Sequence, residues 1–223
     1  MSCHLCQNNS HNKLSLLETF NVIKKAKKKL CLTCELAFSV IIVGCLGCGR
    51  QQTNSQLCHD CYLWQQKGKK LLNHTALYQY NDAMRQFMKQ YKFDGDYDLR
   101  VIFNRVFSQK INILNADIVV PIPVSEHTML TRGFNQTTGL IEGIQYEQLL
   151  KVFAKEKSPQ SQFNRQIRMT RKQPFTMIEQ VSLKGKEVLL VDDVYTTGNT
   201  LYHAADLLYE CGAKNVKSIS LSR

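Results

Sequence analysis

The chain reads as an α/β protein, a parallel sheet covered by helices, preceded by a small metal-binding unit. From residue 76 onward, apolar runs of strand length alternate with amphipathic helical stretches, and four C-x-x-C pairs crowd into the first 61 residues. Strands alternating with helices call for parallel pairing with helices on the sheet faces. Charge and cysteine content also change together near residue 70. Residues 1–75 hold 10 Lys/Arg against 3 Asp/Glu, a net +7, whereas the remaining 148 carry 19 against 15, a net +4. This divides the chain into a Cys-rich unit (1–65), a short polar connection (66–75) and a larger unit (76–223).

In the larger unit, ALYQY (76–80) alternates as a strand does. Met84, Phe87, Met88 and Tyr91 then recur at helical spacing, giving one apolar face with Arg85, Lys89 and Lys92 on another. ADIVVPIP (116–123) and EVLLVDDV (187–194) are continuous apolar runs, read as central parallel strands. A helix over about 199–211 and the strand VKSISL (216–221) follow.

Composition excludes several classes of protein. With 43% hydrophobic and 21% charged residues the chain is neither disordered nor repetitive. Its longest apolar run, residues 36–48, is about 13 residues, whereas a membrane helix needs roughly 20. The start MSCHLCQNNSHNK carries no charged region leading into an apolar one, so the reading predicts no membrane span, no secretory leader and a cytoplasmic location. A net charge of +11 favours polyanionic partners.

The cysteine pairs are Cys3/Cys6, Cys31/Cys34, Cys45/Cys48 and Cys58/Cys61. Two thiolates two residues apart on a turn face one ion, and two such pairs complete a tetrahedral sulfur shell. Four pairs suffice for two structural zinc ions. A disulfide framework is the competing reading and needs an oxidising compartment. Which pairs combine is left open by spacing. Residues 38–43 (FSVIIV) read as a strand entering a knuckle. His4, His11 and His59 read as solvated loop residues, and Cys211 as an inert thiol. The run KKAKKK supplies Lys24, Lys25, Lys27, Lys28 and Lys29 as candidates for nucleic-acid phosphates, with Lys67, Lys69 and Lys70 after the last knuckle. Trp64, Tyr62 and Phe38 are candidate stacking surfaces for bases or, alternatively, seam residues.

The most informative segment is VLLVDDVYTTGNT (188–200). A strand runs into two carboxylates, then a Thr- and Gly-containing loop, then a helix. Gly198 permits close backbone approach, Thr196, Thr197 and Thr200 offer hydroxyls, and amides at the helix N-terminus suit a phosphate monoester. Asp192 and Asp193 suit sugar hydroxyls, directly or through magnesium. Together these features point to a sugar phosphate.

This segment resembles the phosphoribosyl diphosphate motif of type I phosphoribosyltransferases. With KFDGD (92–96), VVPIPVS (119–125), RGFNQ (132–136), PQSQFNRQIR (159–168) and the cysteine pairs, nearly the whole chain is similar to the ComF family of competence proteins. The resemblance implies a phosphoribosyltransferase-like sheet after a double zinc ribbon. It implies that Asp192 and Asp193 meet the ribose hydroxyls while Thr196, Thr197, Gly198, Asn199 and Thr200 hold the 5-phosphate. Ile122, Pro123, Val124 and Ser125, with Arg132, would receive the pyrophosphate and its magnesium. Residues 153–175 correspond to a mobile lid. The implied role is natural transformation: handling internalised single-stranded DNA beside a ComFA-like DNA-uptake ATPase, in the cytosol or recruited to the inner face of the membrane. The alternative is a metabolic phosphoribosyltransferase acting on a nitrogenous base. No catalytic base is recognisable.

Overall fold

The computed structural model describes residues 3–8, 30–153 and 173–223. Strands β1 (Thr75–Tyr78), β2 (Ile118–Pro121), β5 (Glu187–Val194) and β6 (Asn215–Ser222) form one parallel sheet in the order β1-β6-β5-β2. Between the second and the third of these in the chain, β3 (Leu150–Val152) and β4 (Phe175–Met177) make a separate antiparallel pair. The helices are α1 (Leu32–Ala37), α2 (His59–Gln66), α3 (Asp82–Lys92), α4 (Asn104–Leu114), α5 (Glu126–Arg132), α6 (Gln136–Leu140) and α7 (Asn199–Glu210), with a 3-10 turn at Tyr97–Ile102. No described helix is long and apolar enough to cross a membrane.

Each sheet face is buried, which is why the β5 sequence stays apolar until its acids. Val188 and Leu190 join Leu201, Tyr202, Ala204 and Leu208 of α7 on one face, and Leu189 and Val191 join Met84, Phe87, Met88 and Tyr91 of α3 on the other. The periodic face expected of α3 is thus the buried one. Asn81 caps that helix, accepting the Met84 amide at 3.0 Å, and Lys89 and Lys92 sit in its last turn where cations oppose the dipole.

Two expectations about strands need correction. Among the described residues, the run containing β2 lies at the edge of the sheet, paired only with β5. A continuous apolar run reports burial on both faces and says nothing about rank in the sheet. Residues 38–43 form no strand: Val40 makes one antiparallel bridge to Tyr78, with Ile41 N–H on the Leu77 carbonyl at 2.9 Å. Val40 and Ile42 remain exposed, so no alternating face is buried there. The segment instead shields the free edge of β1.

The connection at 66–75 is packed. Leu72 and His74 are buried; the His74 amide donates to the Gly47 carbonyl, and its ring lies between Ser218 Oγ and Ser220 Oγ at 2.8 and 2.9 Å. Burial, with the Arg223 charge nearby, pushes the imidazole well below its ordinary pKa, so it is neutral and one ring nitrogen accepts while the other donates.

Candidate functional site

Cys3, Cys6, Cys31 and Cys34 form one cluster, and Cys45, Cys48, Cys58 and Cys61 a second, their sulfurs lying within 4.8 Å of one another. The simple pairing, first with second and third with fourth, is the one adopted. The two sites share a plan. One knuckle of each lies on a turn, and the other opens a helix, with Cys31 capping α1 and Cys58 capping α2. Sulfur separations of 3.8 Å (Cys6 to Cys31), 3.6 Å (Cys45 to Cys61) and 3.5 Å (Cys48 to Cys58) far exceed a disulfide bond. They match the edge of a tetrahedron with zinc–sulfur bonds of about 2.3 Å, an edge of about 3.8 Å. The donor set and spacing fit zinc.

The thiols of the second cluster are linked to one another electrostatically. A hydrogen bond with Cys61 brings the Cys48 thiol down to about 5, helped by the Arg50 amide and the Arg223 charge. That bond pushes Cys61 up, and burial adds to the rise. The Cys58 amide donates to Cys45 Sγ at 3.2 Å, an outer hydrogen bond of the kind that steadies a metal thiolate. Gly47 has its place for a steric reason: a Cβ there would come within 2.6 Å of Cys61 Sγ. The exposed His4 and His59 stand outside both clusters. His11 lies outside the described residues.

The clusters are built into the two cores. Cys45, Cys48, Cys58 and Cys61 pack with Leu72, Tyr195, Leu201 and Tyr202, while Cys3 packs with Phe38, Phe87 and Phe103 on the opposite face. Phe38 is therefore core. Tyr62 is exposed, and Trp64 is a seam residue stacked on Tyr202 at 4.1 Å.

At the carboxyl end of β5, Asp192 and Asp193 are both buried. Strand alternation puts Asp192 on the α7 face and Asp193 on the α3 face. Lys92 at the end of α3 forms an ion pair with Asp193. Asp192 Oδ1 accepts the Asp193 amide at 2.9 Å. Burial pushes the Asp192 carboxyl well above the usual carboxylate range, and the neighbouring Asp193 charge adds to this.

The loop that follows turns at Gly198, whose φ of +86° and contact with Tyr195 exclude a side chain; a Cβ would lie 2.3 Å from the Tyr195 hydroxyl. Thr196, Thr197, Asn199 and Thr200 are exposed around the start of α7. Beside them the amide of Ile122 donates to the Val191 carbonyl at 2.9 Å, so the turn of Ile122, Pro123, Val124 and Ser125 leaves the sheet next to the acids. Ser125 caps α5, accepting the Thr128 amide at 3.1 Å. Asn135 holds the turn from behind, donating to the Ile122 carbonyl at 3.0 Å. Arg132 donates from Nε to the Lys92 carbonyl at 2.8 Å and from Nη1 to Gln136. RGFNQ and KFDGD therefore meet beside the acid pair.

Sequence reasoning gave no site role to Lys92, Asp60 or Arg223. The signal for Arg223 was available only through register. Parallel pairing of Val194 with Ser222 sets residue 223 beside the loop of residues 196–198, and its Nη1 donates to the Thr196 carbonyl at 3.2 Å. Lys67, Lys69 and Lys70 rim a separate cleft of about 270 Å³ on the outer side of α7, away from the acids. Lys69 is paired there with Asp206 at 2.6 Å. Lys24, Lys25, Lys27, Lys28 and Lys29, and most of the lid-like segment (154–172), lie outside the described residues. Cys211 is a half-buried free thiol.

Two outcomes are expected. Cys58→Ser lowers bound zinc from two equivalents to one by atomic absorption and lowers the melting temperature of the whole chain, because its cluster shares a core with α7. Asp192 has its folded pKa raised above the unfolded value of about 3.9. It therefore costs stability increasingly as pH rises above about 4. Asp192→Asn is expected to stabilise the ligand-free protein at pH 8, a gain that shrinks toward pH 4 in urea titrations.

The geometry agrees with comparisons to known proteins. A phosphoribosyl transferase domain family matches residues 131–223, from RGFNQ to the last strand. Competence protein ComFC of Streptococcus pneumoniae is 35% identical over 100% of both chains. ComFC of Bacillus subtilis is 30% identical over 99% of this chain and 94% of its own. A solved hypoxanthine phosphoribosyltransferase of Staphylococcus aureus aligns with 54% of this chain and 61% of its own at 14% identity and a TM-score of 0.32, too slight a likeness to add to the strand order above. Since the likeness to the two ComFC proteins covers the cysteine-rich unit as well as the larger one, the chain belongs to the ComF family of competence proteins, and its larger unit is a phosphoribosyltransferase-like domain.

Proposed function

We propose that the protein handles internalised single-stranded DNA during natural transformation and binds a phosphoribosyl diphosphate at the carboxyl ends of β2 and β5. The observation that carries the ligand reading is one arrangement. A buried acid pair ends a central parallel strand, and the loop beyond it turns at Gly198 into the N-terminus of a 12-residue helix. Backbone amides there favour a phosphate monoester. In this reading Thr196, Thr197, Gly198, Asn199 and Thr200 hold the 5-phosphate, and Asp192 and Asp193 accept from the ribose hydroxyls. The turn of residues 122–125 receives the pyrophosphate.

Cations stand ready for that polyanion. Arg132 is held on the carbonyl of Lys92, whose ammonium is in turn paired with Asp193. A ribose hydroxyl approaching Asp193 displaces this ammonium, which then has the diphosphate as its new partner. Magnesium carried by the ligand would neutralise its charge. Release of the desolvated carboxylate from its lysine is the cost that ligand binding must offset.

The DNA reading rests on the names of the relatives and on charge. Beyond the lysine run at 24–29, Lys67 and Lys70 are exposed cations lying over the rings of Trp64 and Tyr209, where their ammonium groups suit nucleic-acid phosphates. For a ComFA-like ATPase, the exposed Leu32, Leu36, Ile42 and Leu46 around the knuckles offer an apolar surface.

Calorimetric titration of phosphoribosyl diphosphate with magnesium tests the ligand site. Binding is expected to the zinc-loaded protein and to be lost, at least a hundredfold, in an Asp192→Ala, Asp193→Ala double variant. Absence of binding to the parent chain would refute the reading. Pyrophosphate release in the presence of a single base would instead mark a metabolic transferase. For DNA, oligothymidylate affinity is expected to fall log-linearly with salt. Replacing Lys27, Lys28 and Lys29 by Ala should reduce the slope by about 2, from about 0.7 per phosphate. An unchanged slope would move the contact surface to Lys67 and Lys70.

A further inference from the structure

Two successive carbonyls of the loop at 196–198 are each held by a group tied to the second cysteine cluster. Trp64 Nε1 donates to the Thr197 carbonyl at 3.2 Å, and Arg223 Nη1 donates to the Thr196 carbonyl at 3.2 Å. Among the described residues every peptide bond is trans. In a trans peptide the C=O and the following N–H point in opposite directions. Anchoring these two oxygens toward the knuckles therefore turns the amides of Thr197 and Gly198 the other way, away from the zinc unit.

Both anchors are set by the knuckle at Cys58 and Cys61. Trp64 lies one turn beyond Cys61 on α2, and its ring is stacked on Tyr202 in the first turn of α7 at 4.1 Å. Asp60 sits between the two cysteines and pairs with Arg50 and, at 3.7 Å, with Arg223. The Arg223 side chain is only 5% exposed and lies over the Tyr195 ring at 4.2 Å. Such a buried guanidinium has few alternative positions, so its aim at Thr196 depends on Asp60 staying in place.

We propose that the second four-cysteine site is a positioning device for the phosphate loop, with Trp64 and Arg223 as the positioning residues that orient the Thr196 and Thr197 peptides for anion binding. This rests on the reading of residues 196–200 as a phosphate cradle. It gives the metal a role beyond stabilising the fold: loading of that cluster and affinity for the sugar phosphate are linked, because a binding-competent loop needs α2 held at both cysteines. The faces of Trp64 are already committed to Tyr202 and Lys67, so the indole acts here through its N–H.

The test uses the full, zinc-loaded chain. Trp64→Phe keeps a ring against Tyr202 and removes the single donor. Arg223→Lys keeps the charge and shortens the reach to Thr196. Calorimetry with ribose 5-phosphate and, separately, inorganic pyrophosphate is combined with zinc content, melting temperature and amide exchange over residues 196–200. In Trp64→Phe, ribose 5-phosphate binding is expected to weaken about three- to tenfold, the value of one hydrogen bond, with faster exchange at Thr197 and Gly198. Pyrophosphate affinity, zinc content and melting temperature stay unchanged. Arg223→Lys should show the same selectivity. Unchanged ribose 5-phosphate affinity in both variants, or equal losses for both ligands with a lowered melting temperature, would overturn the proposal. No ribose 5-phosphate binding by the parent chain would remove the cradle reading and the proposal with it.

Discussion

Burying two adjacent carboxylates at the end of the central strand is costly, and the surrounding structure is arranged to meet that cost. Asp192 and Asp193 are desolvated on opposite faces of β5, and removing a charge from water without a partner is among the most unfavourable steps a fold can take. Three features answer it. Lys92 is delivered from the end of α3, the Asp193 amide turns back onto Asp192, and burial keeps the Asp192 carboxyl biased toward its neutral form.

The zinc-binding unit belongs to the same arrangement. About 60 residues with eight cysteines have too little apolar surface for an independent core, and zinc held by the two clusters would supply part of the missing free energy. Packing supplies the rest. One cluster lies against the aromatic group of Phe38, Phe87 and Phe103, and the other against Leu201 and Tyr202 behind the phosphate loop. The cysteine sites thereby straddle the sheet at its β1 side, where residues 39–41 also cover the free strand edge. A division at 66–75 is a division of composition; in space, His74 and Leu72 tie the halves together through β6 and the knuckle at Gly47.

The family's sequence motifs acquire separate physical tasks in this setting. RGFNQ is chiefly a brace: Arg132 closes on the Lys92 carbonyl, Gly133 ends α5 at a φ of +83°, and Asn135 supports the turn after β2. Phe134 packs against Tyr91 and Tyr97, joining the brace to α3 and the 3-10 turn. The positions of Lys92 and of the turn at 122–125 are thus set together.

Much of this was legible in the residues because it depends on local spacing. The C-x-x-C pairs define sulfur shells through the reach of a single turn, the face of Met84, Phe87, Met88 and Tyr91 follows from the helical period, and the acid pair, glycine and helix start of the phosphate loop are contiguous. Rank within the sheet was not legible. Burial on both faces makes β2 and β5 look alike in composition, and only hydrogen bonding places β2 at the edge. Residues 38–43 look like a strand because they are apolar, yet nothing covers Val40 and Ile42. The convergence on the loop spans 133 residues between Trp64 and Thr197: the parallel register of β5 with β6 brings Arg223 there, and packing of α2 on Tyr202 brings Trp64. The amino-acid order by itself determined which short segments carry chemistry, since each is a local pattern of side chains. The tertiary structure decided which of them act together, because strand neighbours and shared cores are set by packing between residues that no local period connects.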